Sequence, residues 1–204
     1  MSIMTARLAR ELRLLSDCCP PGISAWPRDE AKMNVIDARI TGPPDTPYAE
    51  GIFRLEVNIS SRYPFEPPEI RFITPVYHCN IDSAGRICLD LLKMPPKGAW
   101  TPSLNLSTIL SSISLLLASP NPDDGLDPEI SNLYKRDLRK YEENARRWTL
   151  DYAGDKPTPI AIISKIKSNN IDGAKTSFNN DSSSDETDHE APIQQDTKRR
   201  RIDV

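Results

Sequence analysis

The chain has 204 residues, with 26 Lys and Arg side chains against 29 Asp and Glu, and a formal net charge of −3. This near-neutral balance excludes a domain-wide basic surface of the kind that binds nucleic acid. No run of about 18 apolar residues is present, so the sequence predicts no membrane-spanning segment. Residues 1–11 also lack the apolar stretch and cleavage site of a secretory signal, and we therefore expect a protein of the cytosol or nucleus.

Composition divides the chain near residue 153. Residues 154–204 hold few large apolar side chains and are rich in Ser, Asn, Asp and Lys, a composition that does not support a buried core. We therefore predict a folded domain at 1–153 and a mostly disordered tail at 154–204. The basic cluster at 198–201 matches a short nuclear-localisation pattern or is only a solvated basic run.

The first predicted element is a helix. Leu8, Leu12 and Leu15 are spaced four and three residues apart and so share one helical face. The helix has to end before Pro20, because proline cannot continue it.

Strands are predicted after this helix. Residues 53–59 alternate apolar and polar side chains as a half-buried strand does, and residues 33–40 and 69–73 indicate two further strands. Proline-rich turns at 42–47 and 63–68 link these segments. Links this short favour an antiparallel meander.

Two more helices follow the strands. The apolar residues that share one face of the first of them are Ile109, Leu110, Ile113, Leu116 and Leu117. Leu115, together with Ser111, lies off that face and is either an exposed leucine without a role or part of a docking surface. An aromatic stripe at helical spacing, formed by Tyr141, Ala145, Trp148 and Tyr152, indicates a packed terminal helix. Helix, strands and then helices predict an α+β fold.

Cys88 is the strongest candidate for chemistry. It follows His78 by ten residues, in a segment of mixed polarity with a glycine turn, whereas Cys18 and Cys19 have no histidine near them in sequence. His78, Cys79 and Cys88 allow three interpretations, which are structural zinc, a thiol protease with His78 as base, and a thiol that carries an acyl group as a thioester. The absence of a C-x-x-C pair disfavours zinc.

Five segments carry distinctive motifs, which in chain order are Tyr63-Pro-Phe-Glu-Pro-Pro68, Tyr77-His-Cys-Asn-Ile81, Gly85-Arg-Ile-Cys-Leu-Asp90, Trp100 and Pro120-Asn-Pro-Asp-Asp124. Together these motifs resemble those of the ubiquitin-conjugating enzymes. The resemblance covers residues 1–153 and implies that family's fold, with an N-terminal helix, a four-stranded antiparallel meander, a central helix and C-terminal helices. Residues 82–90 and 92–100 and the long tail resemble more narrowly the type that serves the Fanconi anaemia ligase.

The resemblance implies a role for each residue of the site. Cys88 would accept the C-terminal glycine of ubiquitin from the activating enzyme and pass it to a substrate lysine. Asn80 would donate an amide hydrogen bond to the oxyanion or stiffen the loop, unless it is only a turn residue. Asp124 would orient the acceptor lysine, or else cap the helix that follows it. His78 and Asp90 would be structural residues near the site.

The resemblance also implies partner surfaces and one departure. The residues expected to bind a RING-type ligase come from three regions and are Arg7, Arg10, Phe65, Pro102 and Ser103. Ser111 and Leu115 fall where the carried ubiquitin packs in this family. Lys93 is five residues from Cys88, so self-modification there is a hypothesis. Where the family usually has His-Pro-Asn, this sequence has Cys79 in place of the stiffening proline, which puts the rigidity of the loop in question.

The expected function is monoubiquitination in Fanconi anaemia DNA-crosslink repair, in the nucleus or also in the cytoplasm. The expected partners are ubiquitin, its activating enzyme, the ligase and a protein substrate, without nucleic acid or membrane. The sequence has neither a glycine-rich phosphate loop nor a metal cluster, so we expect no cofactor and no metal, and any ATP is used by the activating enzyme. Two alternatives remain, a carrier of another ubiquitin-like modifier and a non-catalytic ubiquitin-binding scaffold.

Overall fold

A four-stranded sheet organises the computed structural model, which describes residues 3–154. Its strands are β1 (Ile23–Pro27), β2 (Val35–Thr41), β3 (Ile52–Asn58) and β4 (Glu69–Phe72). They lie in sequence order and every neighbouring pair is antiparallel, which confirms the predicted meander. Strand β1 has no strand pattern of its own, because Ile23 is its one buried residue, and only the family resemblance implied it.

In the described part of the chain, four α-helices accompany the sheet, α1 (Ile3–Asp17), α2 (Leu106–Ala118), α3 (Pro128–Arg136) and α4 (Leu138–Tyr152). Single-turn 3₁₀ helices at Asp90–Leu92 and Pro122–Asp124 stand on either side of α2 in sequence. Asn105 caps α2 and Asp127 caps α3, each by accepting backbone N–H groups that the first helical turn leaves unpaired. Within residues 3–154, no helix has the length and apolar character to cross a membrane.

The core lies between one face of the sheet and the apolar face of α2. Phe53, Leu55 and Val57 of β3 are buried, while the residues between them face outward, as their alternation predicts. The residues that α2 buries are Leu106, Ile109, Leu110, Ile113, Leu116 and Leu117. Burying one such side chain fully contributes about 1.5–3 kcal/mol. Leu115 is 65% exposed, so the predicted division of this helix into two faces is confirmed.

A buried carboxylate joins α1 to the loops around it. The Glu11 side chain is 5% exposed and accepts hydrogen bonds from the Tyr63 hydroxyl at 2.8 and 2.9 Å and from the Leu106 backbone N–H at 2.9 Å. It also pairs with Arg7, whose guanidinium donates to the Leu104 carbonyl oxygen at 2.8 Å. One carboxylate therefore positions α1, the turn at Tyr63 and the start of α2 relative to each other.

Helix α4 is fastened to the sheet and to the chain before the candidate site. The Tyr48 hydroxyl donates to the Tyr77 carbonyl oxygen at 2.8 Å, so the Tyr141 hydroxyl, also 2.8 Å away, donates to Tyr48. The Ile52 N–H donates to the Ala153 carbonyl oxygen at 2.7 Å. The aromatic stripe of α4 is therefore packing. The predicted tail, with its basic cluster at 198–201, lies outside the described residues.

Candidate active site

The position of Cys88 depends on a close backbone contact between Gly85 and Phe72, at the edge of the sheet. The Gly85 φ angle is +81°, and a Cβ atom there would lie 2.0 Å from the Phe72 carbonyl oxygen, so glycine is required. The Phe72 N–H donates to the Gly85 carbonyl oxygen at 2.8 Å. Three residues later the Cys88 N–H donates to the Asn80 carbonyl oxygen at 2.9 Å, which holds the thiol segment beside Asn80.

The Asn80 side chain braces the chain that carries Asp124. It is 1% exposed, and its amide nitrogen donates to the carbonyl oxygens of Asn121 at 2.7 Å and Asp124 at 3.0 Å. Its amide oxygen accepts from the Asn121 N–H at 2.8 Å. This bonding is that of a stiffening residue. The oxyanion role stays a prediction, and it requires the amide to release one of the two carbonyl oxygens as the reaction proceeds.

His78 is buried as a neutral ring. The Asn80 N–H donates to Nδ1 at 3.0 Å, so the proton is on Nε2, which donates to the Leu116 carbonyl oxygen at 3.0 Å. Burial lowers the pKa of His78 to about 4. Both ring nitrogens therefore form hydrogen bonds to groups other than the Cys88 thiol. The arrangement lacks the thiol–imidazole contact that a thiol protease with His78 as base needs.

The Cys88 thiol lies between a carboxylate and an ammonium group. Its Sγ donates to Oδ2 of Asp124 at 2.9 Å and accepts from Nζ of Lys93 at 3.2 Å. Lys93 Nζ is 3.6 Å from Oδ2 of Asp124 and 3.4 Å from Oδ1 of Asp90. Cys88 is half-buried, which leaves the sulfur reachable from solvent.

Opposing charges act on the thiol. Burial raises the pKa of Cys88, the Asp124 carboxylate raises it further, and Lys93 lowers it. The hydrogen bond from the thiol is the main cause of the lowered pKa of Asp124. The hydrogen bond to Cys88 is also the main cause of the raised pKa of Lys93. The resting state therefore pairs a protonated thiol with an ionised carboxylate and an ammonium group.

The remaining predicted site residues fall into two groups. Asp124 reaches the thiol, and the alternative that it caps the next helix is wrong, because Asp127 performs that capping. Asp90 has a 66% exposed side chain that contacts Lys93, which in turn contacts the thiol. The Cys79 side chain, in place of the family's proline, is fully buried, and burial raises its pKa to about 11.

The structure brings the three predicted ligase-binding regions together. Glu11 connects α1 to the turn that carries Phe65, and the Trp100 indole N–H donates to the Pro64 carbonyl oxygen at 3.0 Å. Phe65 is 61% exposed, so it does not cap the core. The other residues predicted for this surface are Arg7, which is partly buried, and Arg10, Pro102 and Ser103, which are exposed. Ser111 and Leu115 lie one helical turn apart on α2.

Two residues that position the site and the predicted ligase-binding regions were not predicted from the sequence. Asn121 supplies two of the three backbone groups that the Asn80 side chain bonds, and its position between two prolines was the available signal. Glu11 falls on the buried face that Leu8, Leu12 and Leu15 define, and an acidic residue at such a position signals a buried carboxylate with partners.

Comparison with known proteins gives a consistent result. The family model described as "Ubiquitin-conjugating enzyme" matches residues 7–149. The chain is similar to proteins named Ubiquitin-conjugating enzyme E2 T. The one from Danio rerio is 55% identical over 151 residues, 74% of this chain and 77% of that protein. The one from Homo sapiens is 56% identical over 151 residues, covering 74% and 76%. The one from Xenopus laevis is 51% identical over 168 residues, covering 82% and 87%.

Proposed function

The chain belongs to the ubiquitin-conjugating enzyme family, and from that premise we propose that Cys88 is the residue that carries ubiquitin as a thioester. Enzymes of this family are ubiquitin transferases that work through such a thioester, with an activating enzyme and a ligase. The observation that carries the assignment is the setting of the Cys88 sulfur, which is half-buried and contacts Asp124 and Lys93. The Cys79 thiol is fully buried.

Charging exchanges one thioester for another. Ubiquitin arrives with its C-terminal carbonyl bound to a cysteine of the activating enzyme. The Cys88 thiol gives up its proton, and its sulfur attacks that carbonyl carbon to form a tetrahedral intermediate. The bond to the activating enzyme's cysteine then breaks, and that sulfur leaves as a thiolate that takes up a proton. No atom changes oxidation state, so this exchange itself consumes no cofactor.

Transfer to lysine uses Asp124 and Asn80. Acylation of Cys88 removes the thiol hydrogen, so the Asp124 carboxylate loses that hydrogen bond and can accept one from an incoming lysine. The amine loses a proton, its nitrogen attacks the thioester carbonyl, and Asn80 donates to the resulting oxyanion. The carbon–sulfur bond breaks, an isopeptide bond remains, and Cys88 leaves as a thiolate that is reprotonated.

We also propose the cellular setting. The ligase is RING-type and is that of the Fanconi anaemia pathway, and the product is a monoubiquitinated substrate in DNA-crosslink repair. Support comes from the similarity to relatives named E2 T and from the resemblance of residues 82–90 and 92–100 to the type that serves this ligase. The basic cluster at 198–201 supports action in the nucleus.

The test of the carrier residue is a charging reaction. The protein is mixed with ubiquitin, activating enzyme and ATP and run on a non-reducing gel beside Cys88→Ala and Cys79→Ala. We expect a thiol-sensitive band one ubiquitin heavier that Cys88→Ala alone abolishes. A band that survives in Cys88→Ala contradicts the assignment. Charging by another ubiquitin-like modifier but not by ubiquitin, with a control carrier active, favours the alternative carrier, and no charging at all favours the scaffold.

The ligase partner is tested by discharge of the charged enzyme to free lysine. We expect the RING domain of the Fanconi anaemia ligase to accelerate discharge, and Phe65→Ala to remove that acceleration. Leu150→Ala is the matched control, because Leu150 is 77% exposed on α4, outside the predicted ligase-binding regions. Equal stimulation of Phe65→Ala and Leu150→Ala contradicts the proposed surface.

A further inference from the structure

Lys93 is held against the thiol by the backbone around it. Its N–H donates to the Asp90 carbonyl oxygen at 3.0 Å, and its carbonyl oxygen accepts from the Trp100 N–H at 3.1 Å. A Cβ atom on Gly98 would lie 2.3 Å from the Lys93 carbonyl oxygen, so the turn closes tightly over this residue. Nζ then reaches the Cys88 sulfur at 3.2 Å, with a side chain 37% exposed.

We propose that Lys93 is a catalytic residue of thioester formation, in which its ammonium group is the counter-ion of the Cys88 thiolate. This inference rests on the proposed function of Cys88 as the carrier. When the thiol gives up its proton, the negative sulfur faces the Asp124 carboxylate, with which it shares a 2.9 Å contact. Two adjacent negative charges repel each other, and a cation near both offsets that repulsion.

Lys93 lies close enough to both negative charges to offset their repulsion. Its Nζ is 3.2 Å from the sulfur and 3.6 Å from Oδ2 of Asp124, so one ammonium group contacts both negative charges. Asp90, at 3.4 Å, is the third charged group of the cluster and favours the ammonium form of Lys93. Asp90 lies in the first 3₁₀ helix, Lys93 directly follows that helix, and Asp124 lies in the second 3₁₀ helix.

The counter-ion role differs from the hypothesis of self-modification at Lys93. A lysine that accepts ubiquitin has to attack as a neutral amine, after Cys88 has been acylated. A counter-ion acts as the ammonium form, before any ubiquitin is bound. Arginine separates the two roles, because it keeps the positive charge near the sulfur and cannot be an acceptor.

The experiment measures the reactivity of Cys88 without ubiquitin. Iodoacetamide alkylation of the full chain is followed against pH by mass spectrometry of the peptide that contains Cys88. We expect Lys93→Gln to react about tenfold more slowly at neutral pH, because loss of the ammonium group raises the pKa of Cys88. Lys93→Arg should keep most of the reactivity. Lys97→Gln is the matched control, because Lys97 is exposed on the same turn and the charge change is identical.

The same variants are then charged at limiting activating enzyme, and their folding is checked by urea unfolding. We expect charging rates to follow the order of alkylation rates. If Lys93→Gln alkylates as fast as Lys97→Gln, the counter-ion role is overturned. Normal charging in that case would show that the carrier function stands. If Lys93→Gln alkylates slowly but Cys88 of the natural chain is never charged, the carrier function is overturned instead, and with it the role of Lys93 in thioester formation.

Discussion

Acid should destabilise this protein through His78. The ring is fully buried and neutral, with its Nδ1 accepting from Asn80 and its Nε2 donating to Leu116. Burial lowers its pKa from 6.5 to about 4. The unfolded chain therefore binds a proton on His78 at a higher pH than the folded chain does. The stability that follows from this difference is fully present above pH 6.5 and is lost as the pH falls from 6.5 towards 4.

The size of the loss follows from those two values. Each pH unit across the window removes about 1.4 kcal/mol from the free energy of unfolding. Lowering the pH from about 7.5 to about 5 should cost about 2 kcal/mol through His78, and the full window about 3 kcal/mol. Losses of this size are a large share of the stability of an ordinary domain, about 5–15 kcal/mol.

The assay is urea unfolding at several pH values for the natural chain and for His78→Gln. Carboxyl groups titrate in both proteins, so the difference between the two curves isolates the histidine. His189→Gln removes the chain's other histidine and assigns the effect to one residue. NMR titration of the natural chain gives a second readout, in which His78 should remain neutral down to about pH 5. Equal pH dependence in His78→Gln, or titration of the folded His78 near 6.5, would refute the reasoning.

Three further substitutions test separate parts of the structure. Asn80→Ala removes the brace to the Asp124 segment, and should lower the free energy of unfolding by about 1–3 kcal/mol and slow discharge to lysine more than charging, both measured on one preparation. Glu11→Ala leaves the buried Tyr63 hydroxyl without its acceptor, and urea unfolding should show a loss of at least about 2 kcal/mol; an unchanged midpoint would contradict the buried network. Leu115→Arg, on an exposed face, should change stability by less than about 0.5 kcal/mol yet slow ligase-stimulated discharge, and normal discharge would dismiss the ubiquitin contact.

Much of the fold could be predicted because its signals are local. The alternation at 53–59 requires a strand with one buried face, and the leucine spacing from Leu8 to Leu15 requires a helix. Short proline-rich links leave few connections other than an antiparallel meander. The strand Ile23–Pro27 lacked such a signal, because it buries one residue and its place depends on backbone pairing with β2.

The candidate site divides in the same way. The sequence by itself determined the candidate residues Cys88, His78 and Asn80, because the two motifs that contain them are short and contiguous. Only the tertiary structure decided what those side chains contact. The Asn80 amide bonds to a residue 41 positions away, and the Cys88 thiol to one 36 positions away. Periodicity reports which face of an element is buried, whereas a hydrogen-bond partner is chosen when distant loops close on each other.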